Sequence, residues 1–176
     1  SAATRNRASA ARRTRPCSSH TVVELLQAGR EVAVLDNLSN ASAESLERVA
    51  QITGRRAELV VGDLRDGALL ASLLASRPFE AVLHFAGLKA VGESVARPLD
   101  YYDNNVAGSV TLLRALDASG VRRLVFSSSA TVYGDPTAVP IREDAQTGAT
   151  NPYGRTKAFI EAILQDLAAS DARWSI

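Results

Sequence analysis

Short apolar runs alternate with stretches of helical periodicity along this sequence from residue 20 onward. In the helical stretches, apolar residues recur every three or four positions, whereas the short runs are continuously apolar. The predicted strands cover residues 31–36, 57–63, 81–87 and 122–128, and the predicted helices cover residues 20–28, 43–52, 67–75, 99–119 and 152–169. Continuously apolar strands separated by helices are typical of a parallel sheet covered on both faces, so we predict a doubly wound α/β fold.

Glycine and capping residues support these helix boundaries. Gly29, Gly54 and Gly120 closely follow three of the predicted helices, where a left-handed C-cap is common. Asn151 and Pro152 begin the last helix as an N-cap and first-turn pair. Residues 173–176 resemble the start of a further strand.

Polar residues follow each of the four predicted strands. In a doubly wound fold, ligands bind beyond the carboxyl ends of the strands, so four such positions in succession indicate a long ligand such as a dinucleotide. These positions are Asp36-Asn37, Asp63-Leu64, Ala86-Gly87-Leu88-Lys89 and Ser127-Ser128-Ser129.

Asp36 bears on the choice between NAD and NADP. A carboxylate at this strand end accepts a hydrogen bond from a ribose 2′-hydroxyl and repels a 2′-phosphate, which favours NAD. An aspartate that only shapes a turn is an equally good explanation of Asp36 taken alone.

Composition excludes several classes of protein. With 46% hydrophobic and 22% charged residues, the chain is typical of a soluble globular domain. The single cysteine and two histidines provide no disulfide and no cluster with metal-ligand spacing, so we expect no metal. No apolar run reaches the roughly 18 residues of a membrane span, so we expect a cytoplasmic protein without a membrane partner.

Charge is unevenly distributed. Residues 1–19 contain five arginines and no acidic residue, which leaves 15 basic against 19 acidic residues in the rest. The opening stretch could be a transit peptide, a nucleic-acid arm or simple disorder. Because the remaining chain is acidic and offers no continuing basic face, we expect no nucleic-acid partner.

Tyr153 and Lys157 are the strongest candidates for chemistry. They stand four residues apart near the start of the last helix, so their side chains share one face. A cation beside the phenol and a helix N-terminus behind it both favour the deprotonated form, which would make Tyr153 a proton acceptor. A hydroxyl of the serine run 127–129 could relay a proton to it. A surface pair on a helix is the competing interpretation.

Strand-end serines followed by Tyr-x-x-x-Lys resemble the extended short-chain dehydrogenase/reductase family. Longer runs are similar to the sugar-nucleotide 4-epimerases of that family, and the resemblance extends from about Ser19 to the end of the sequence. The runs that carry it are residues 20–26 (HTVVELL), 34–38 (VLDNL), 84–94 (HFAGLKAVGES), 101–106 (YYDNNV) and 126–134 (FSSSATVYG).

The resemblance implies a Rossmann-like fold and the reversible conversion of UDP-glucose and UDP-galactose through a 4-keto intermediate, with bound NAD, in galactose metabolism. It also implies a homodimer formed through the long helices 99–119 and 152–169. The implied cofactor-binding residues are Asp36 and Asn37 (adenosine ribose), Asp63 and Leu64 (adenine), Phe85, Ala86, Gly87, Leu88 and Lys89 (the middle of the cofactor), Asn104, Tyr153 and Lys157. The implied substrate-binding residues are Lys89, Ser129 and Tyr153, and the implied catalytic residues are Tyr153, Lys157 and Ser129.

The first 18 residues depart from the family pattern. The family begins with a buried strand and a glycine-rich turn, whereas residues 1–18 contain neither a glycine nor an apolar run. That strand lies in the middle of the family's sheet, so its loss leaves two strand edges unpaired. We therefore expect residues 1–18 to be an irregular segment foreign to the fold, from a frame-shifted or mis-called reading.

Residues 19–176 are then expected to form an incomplete NAD-binding domain without the C-terminal substrate domain, inactive by itself. Two alternatives to the epimerase stay open. A related sugar-nucleotide dehydratase or decarboxylase is disfavoured because Ala130-Thr131 stands where a dehydratase carries an Asp-Glu pair. A non-catalytic protein with a dinucleotide-binding fold is favoured by the missing glycine loop, but the retained Ser129, Tyr153 and Lys157 oppose it.

Overall fold

The computed structural model describes residues 16–136 and 138–176, so most of the arginine-rich opening segment lies outside the described residues. The chain divides into two compact units, one that ends at Asp63 and one that begins at Leu64. Each unit contains two parallel strands and the helices that cover them.

The first unit is a pair of helices packed on a pair of strands. Its elements are α1 (Pro16–Gln27), β1 (Ala33–Asp36), α2 (Glu44–Thr53) and β2 (Glu58–Val61). The strands run parallel, with Ala33 opposite Glu58 and Asp36 opposite Val61. Its core is built where Val22 and Leu26 of α1 meet Val49 of α2. Burial of these aliphatic side chains holds both helices against the strands.

The second unit has more helix. Its elements are α3 (Gly67–Ser76), β3 (Val82–His84), α4 (Val91–Ala96), α5 (Pro98–Tyr101), a π-helical segment (Tyr102–Ala107), α6 (Gly108–Ser119), β4 (Leu124–Phe126), a 3-10 turn (Ala130–Tyr133) and α7 (Pro152–Ser170). Strands β3 and β4 are parallel, and His84 stands opposite Phe126. Tyr101, Leu116, Leu124 and Ile160 are at most 2% exposed and form the centre of its core.

The predicted α/β class is confirmed: each predicted strand is found, the paired strands are parallel, and they alternate with helices. The described strands form two separate two-stranded sheets, β1 with β2 and β3 with β4. Residue 175 pairs in parallel with Arg123, which confirms the expected start of a further strand.

The single long helix predicted over residues 99–119 is wrong. The segment begins at Pro98, and the part between α5 and α6, Tyr102–Ala107, is π-helical. Ser109 Oγ donates to the carbonyl of Asn105 at 2.6 Å and Thr111 Oγ1 donates to the carbonyl of Ala107 at 3.0 Å. Such back-bonding hydroxyls disturb regular helix geometry. The prediction also missed α4 and the 3-10 turn, and it started α1 four residues too late.

Replacing Leu116 by alanine should test the core of the second unit. Leu116 is fully buried, so Leu116→Ala should lower the free energy of unfolding by about 2–5 kcal/mol. The control is Leu99→Ala, the same substitution at a side chain that is 78% exposed, which should cost less than about 0.5 kcal/mol. Trp174, the only tryptophan, reports unfolding by fluorescence. Equal losses for the two variants would contradict this core.

Candidate functional site

The ends of β3 and β4 bring two of the predicted polar segments to one edge of the second sheet. His84 and Phe126 are the last residues of these strands and stand opposite each other. The amide of Ser127 donates to the carbonyl of His84 at 3.1 Å, which continues the pairing by one residue. The loop 85–89 and the serine run 127–129 therefore leave the sheet side by side.

Helix α7 is docked against the serine run through Lys157. Its Nζ atom donates to the carbonyl of Ser127 at 2.9 Å and lies 4.6 Å from the centre of the Phe126 ring. Lys157 is only 5% exposed. The interpretation of Tyr153 and Lys157 as a surface pair is therefore wrong for Lys157.

Gly154 allows the first turn of α7 to approach the segment that follows the serine run. A Cβ atom at this position would lie 2.7 Å from the carbonyl oxygen of Thr131, closer than real Cβ contacts come. Asn151 caps the same turn by accepting from the amide of Gly154 at 2.9 Å. Tyr153, which precedes Gly154 in the same turn, is partly buried.

The hydrogen bonds of the Ser129 hydroxyl determine whether it donates or accepts towards a ligand. Its backbone is extended (φ −151°, ψ 143°), and its Oγ accepts from Thr131 N at 3.2 Å and from Thr131 Oγ1 at 2.9 Å. A hydroxyl has two acceptor positions and one donor. With both acceptor positions used by Thr131, the Ser129 hydroxyl acts towards a ligand as a donor.

Asn105 organises the loop 85–89 and is a residue that the sequence analysis missed. It is 2% exposed, and its side chain accepts from Leu88 N at 2.7 Å and donates to Leu88 O at 2.9 Å. It also donates to Thr156 Oγ1 at 3.1 Å, which in turn donates to Tyr153 O at 2.7 Å. A Cβ on Gly87 (φ +147°) would lie 3.1 Å from Asn105 Oδ1, so this turn requires glycine.

The predicted Asn104 lies beside this network. Its Nδ2 donates to Asn105 Oδ1 at 2.9 Å. Leu64 packs against the start of α6, since a Cβ on Gly108 would lie 3.5 Å from Leu64 Cδ2. Phe85 and Ala86 are partly buried. The sequence offers no signal that separates Asn105 from Asn104, because the two are adjacent.

Ser94 and Tyr101 fix the segment that follows the loop, and neither was predicted from the sequence. Ser94 is fully buried, and its Oγ accepts from the amide of Tyr153 at 3.2 Å. The Tyr101 hydroxyl accepts from Ala90 N at 3.0 Å and donates to Ala90 O at 2.8 Å. Burial and the nearby Glu93 raise the pKa of Tyr101 to about 12, so it remains a donor. The exposed Lys89 directly precedes Ala90, whose backbone groups are held by Tyr101.

His84 is a buried neutral histidine beneath the site. Its Nε2 lies 2.8 Å from Ser109 Oγ, and Ser109 Oγ itself donates to Asn105 O. Ser109 must therefore accept, which assigns the proton of His84 to Nε2. Burial, and secondarily the charge of Lys157, lower the pKa of His84 to about 4.

In the first unit, the predicted residues Asp36, Asn37 and Asp63 lie at the ends of β1 and β2. Asn37 Nδ2 donates to Asp63 Oδ2 at 3.0 Å, and Asp36 Oδ1 accepts from Leu38 N at 2.8 Å. Asp36 also lines a pocket of this unit, formed by Ser18, Ser19, Val22, Val34, Leu38, Ala41, Ser42, Ala43, Ser45, Leu46 and Leu59.

The described residues contain no group of three or more histidine, cysteine, aspartate or glutamate side chains that could hold a metal ion. Within the same ranges, no helix has the length and apolar character needed to cross a membrane.

Comparison with known proteins gives consistent matches. The profile of the "NAD dependent epimerase/dehydratase family" matches residues 17–175. UDP-glucose 4-epimerase of Bacillus subtilis is 56% identical over 158 residues, which are 90% of this chain and 47% of that protein. The corresponding enzyme of Haemophilus influenzae is 55% identical over 159 residues, 90% of this chain and 47% of that protein. The chain thus spans about half the length of the curated relatives it matches.

Solved structures agree with these relatives. The crystal structure of UDP-glucose 4-epimerase from Bifidobacterium longum in complex with NAD+ and UDP matches with a TM-score of 0.88 and 49% identity, over 90% of this chain and 48% of that chain. The Stenotrophomonas maltophila enzyme, with bound NAD and formylated UDP-arabinopyranose, matches with a TM-score of 0.84 and 49% identity, over 86% of this chain and 45% of that chain. The Rossmann-like α/β fold is therefore shown.

His84 should make the second unit acid-sensitive. Its pKa is about 4 when folded and about 6.5 when unfolded, so only the unfolded chain takes up a proton between these values. Unfolding free energy should fall by up to about 3 kcal/mol from pH 7 to pH 4 through this group. His84→Asn should flatten that decline, measured by Trp174 fluorescence in urea.

The matched control is His20→Asn, which removes the chain's other histidine, an exposed residue of α1. The difference between the two variants isolates the contribution of the buried ring. An identical pH slope in wild type and His84→Asn would show that His84 titrates normally in the folded chain.

Proposed function

The chain belongs to the NAD dependent epimerase/dehydratase family, and we propose that its site residues serve the 4-epimerisation of UDP-glucose and UDP-galactose. The observation that carries the proposal is the docking of α7 on the serine run, where the buried Lys157 bonds to Ser127, two residues before Ser129. The relatives named UDP-glucose 4-epimerase support the substrate.

The residues of the first unit suit the adenosine end of NAD. Asp36 uses one acceptor position for Leu38 N, and a carboxylate has about four, so capacity remains for ribose hydroxyls. Val34 and Leu59 line the same pocket and offer apolar surface to a base. Asn37 and Asp63 are the further polar groups at this strand end. The fit does not extend to a glycine-rich pyrophosphate cradle, because residues 1–28 contain no glycine.

The residues of the second unit suit the nicotinamide end. The loop Phe85–Lys89 is held in place by Asn105, which bonds to both backbone groups of Leu88. Lys157 supplies a fixed positive charge beside the serine run, and Asn104 lies next to Asn105. We assign Lys157 to the nicotinamide ribose. Leu64 and Asp63 are assigned instead to the adenine.

In the proposed reaction, Tyr153 takes the proton of the sugar 4-hydroxyl. Ser129 donates a hydrogen bond to the same oxygen, because its acceptor positions are used by Thr131. The positive charge of Lys157 stabilises negative charge that develops at the site. NAD, when bound, supplies a reversible two-electron oxidant for C4 of the hexose. After the 4-keto sugar has rotated in the site and C4 has been reduced again, Tyr153 returns the proton to the oxygen at C4.

The dehydratase alternative receives no support from the residues after Ser129. Ala130 carries no acid, and the Thr131 hydroxyl is bonded to Ser129. The non-catalytic alternative is opposed by the same retained Ser129, Tyr153 and Lys157.

We extend the proposal to a role in galactose metabolism in the cytoplasm and to a homodimer through α5, α6 and α7. Support for the dimer comes from the exposed Leu99 and Phe159 on these helices.

A chimera tests the function, because the chain spans about half the length of its relatives. Residues 17–175 would replace the matching segment of the Bacillus subtilis enzyme, and a coupled assay would follow formation of UDP-glucose from UDP-galactose. Tyr153→Phe should lower kcat at least about 100-fold, since it removes the proton acceptor. Tyr102→Phe, which keeps the ring contact with Phe159, is the matched control. A chimera without activity, or an active Tyr153→Phe variant, would refute the proposal.

Asp36 should set the preference for NAD. Asp36→Asn removes the charge that repels a 2′-phosphate, so the ratio of NADP to NAD affinity should rise at least about tenfold. NMR titration of the labelled chain measures both dissociation constants, even when binding is weak. Asp166→Asn, on an exposed position of α7, serves as the control. An unchanged ratio would mean that Asp36 only shapes its turn.

A further inference from the structure

Glu161 contacts the serine run from the same face of α7 that carries Tyr153 and Lys157. The three residues are spaced four apart, which places their side chains in one row along the helix. Glu161 Oε1 accepts a hydrogen bond from Ser128 Oγ. We infer that Glu161 is a positioning residue that sets the orientation of Ser129, an assignment that rests on the proposed function.

Three contacts along α7 hold the segment 127–131, and they differ in kind. Near the helix start, Gly154 packs against the carbonyl of Thr131. One turn later, Lys157 Nζ donates to the carbonyl of Ser127. Both contacts engage backbone carbonyls, which place the segment without selecting its side chains. Of these three, only the contact with Glu161 engages a side chain of the serine run.

The side-chain contact determines which side of the run Ser129 occupies. In extended backbone, successive side chains point to opposite sides. Ser129 is extended, and the preceding Ser128 is turned towards Glu161. Ser129 then presents its hydroxyl on the side away from Glu161, where Thr131 fixes its polarity. Loss of the Ser128–Glu161 bond would free the run to rotate.

The chemistry of this bond suits a positioning role. Glu161 and Ser128 are both partly buried, and a hydroxyl that donates to a carboxylate forms a charge-assisted bond stronger than one between neutral groups. Glutamine at position 161 would keep an acceptor oxygen of the same reach. Alanine at 161 or at 128 would remove the bond from either side.

The test uses the full chain labelled with 15N, without ligand. Glu161→Ala and Ser128→Ala should shift the amide signals of Ser129 and Thr131, and the Thr131 amide should exchange with solvent roughly fivefold faster. Glu161→Gln should restore the wild-type positions. The control is Asp166→Ala, which removes a carboxylate from an exposed position of the same helix and should shift neither signal.

Trp174 fluorescence verifies that each variant is folded. If Glu161→Ala does not fold, Ser128→Ala makes the same test with a smaller change. The inference is overturned if removal of the bond leaves Ser129 and Thr131 at their wild-type signals, or if Glu161→Gln perturbs them as much as Glu161→Ala. Because this measurement needs no cofactor or sugar, its failure is distinct from an inactive chimera, which would overturn the proposed function.

Discussion

A buried lysine charge is the constraint on which the second unit depends. An ammonium group that is 5% exposed is costly to bury without partners. Lys157 has the carbonyl of Ser127 as acceptor and the face of Phe126 as a cation–π partner. His84, behind Phe126, has a pKa lowered to about 4, which keeps a second positive charge out of the same core at neutral pH. Helix α7 can therefore dock only where the end of β4 offers these groups.

The docking of α7 requires a glycine in its first turn and hydrogen-bond acceptors for the amides of that turn. The first turn of α7 comes so close to Thr131 that position 154 must be glycine. Its amide groups are then satisfied from two directions, by Asn151 within the turn and by the buried Ser94 of α4. The π-helical segment contributes Asn105, which connects Leu88 to Thr156 of α7. Helix α7 is thus contacted by residues of the 3-10 turn, α4 and the π-helical segment as well as by the end of β4.

The sequence predicts the parts of the site that depend on local pattern. Strand ends and helix spacing are local, so Asp36, the serine run 127–129 and the pair Tyr153 and Lys157 could be proposed from the sequence pattern, whereas the choice of Ser129 within the run came from the family resemblance. Asn105 and Ser94 could not, because their partners are backbone groups of segments distant in the sequence. The π-helical segment was missed for a similar reason: hydroxyls of α6 bond backward to its carbonyls, which leaves the apolar period nearly unchanged.

The donor role of the Ser129 hydroxyl limits which residue can accept the sugar proton in the proposed reaction. A serine with a vacant acceptor position could take the sugar proton and pass it on, whereas Ser129 already accepts twice from Thr131. In the proposed reaction, the 4-hydroxyl proton then goes directly to Tyr153, and Ser129 donates a hydrogen bond to the oxygen that remains. The fixed amide of Thr131 is what imposes this division of roles, because a backbone N–H can only donate. Loss of the threonine hydroxyl alone would therefore leave Ser129 with one acceptor position still occupied.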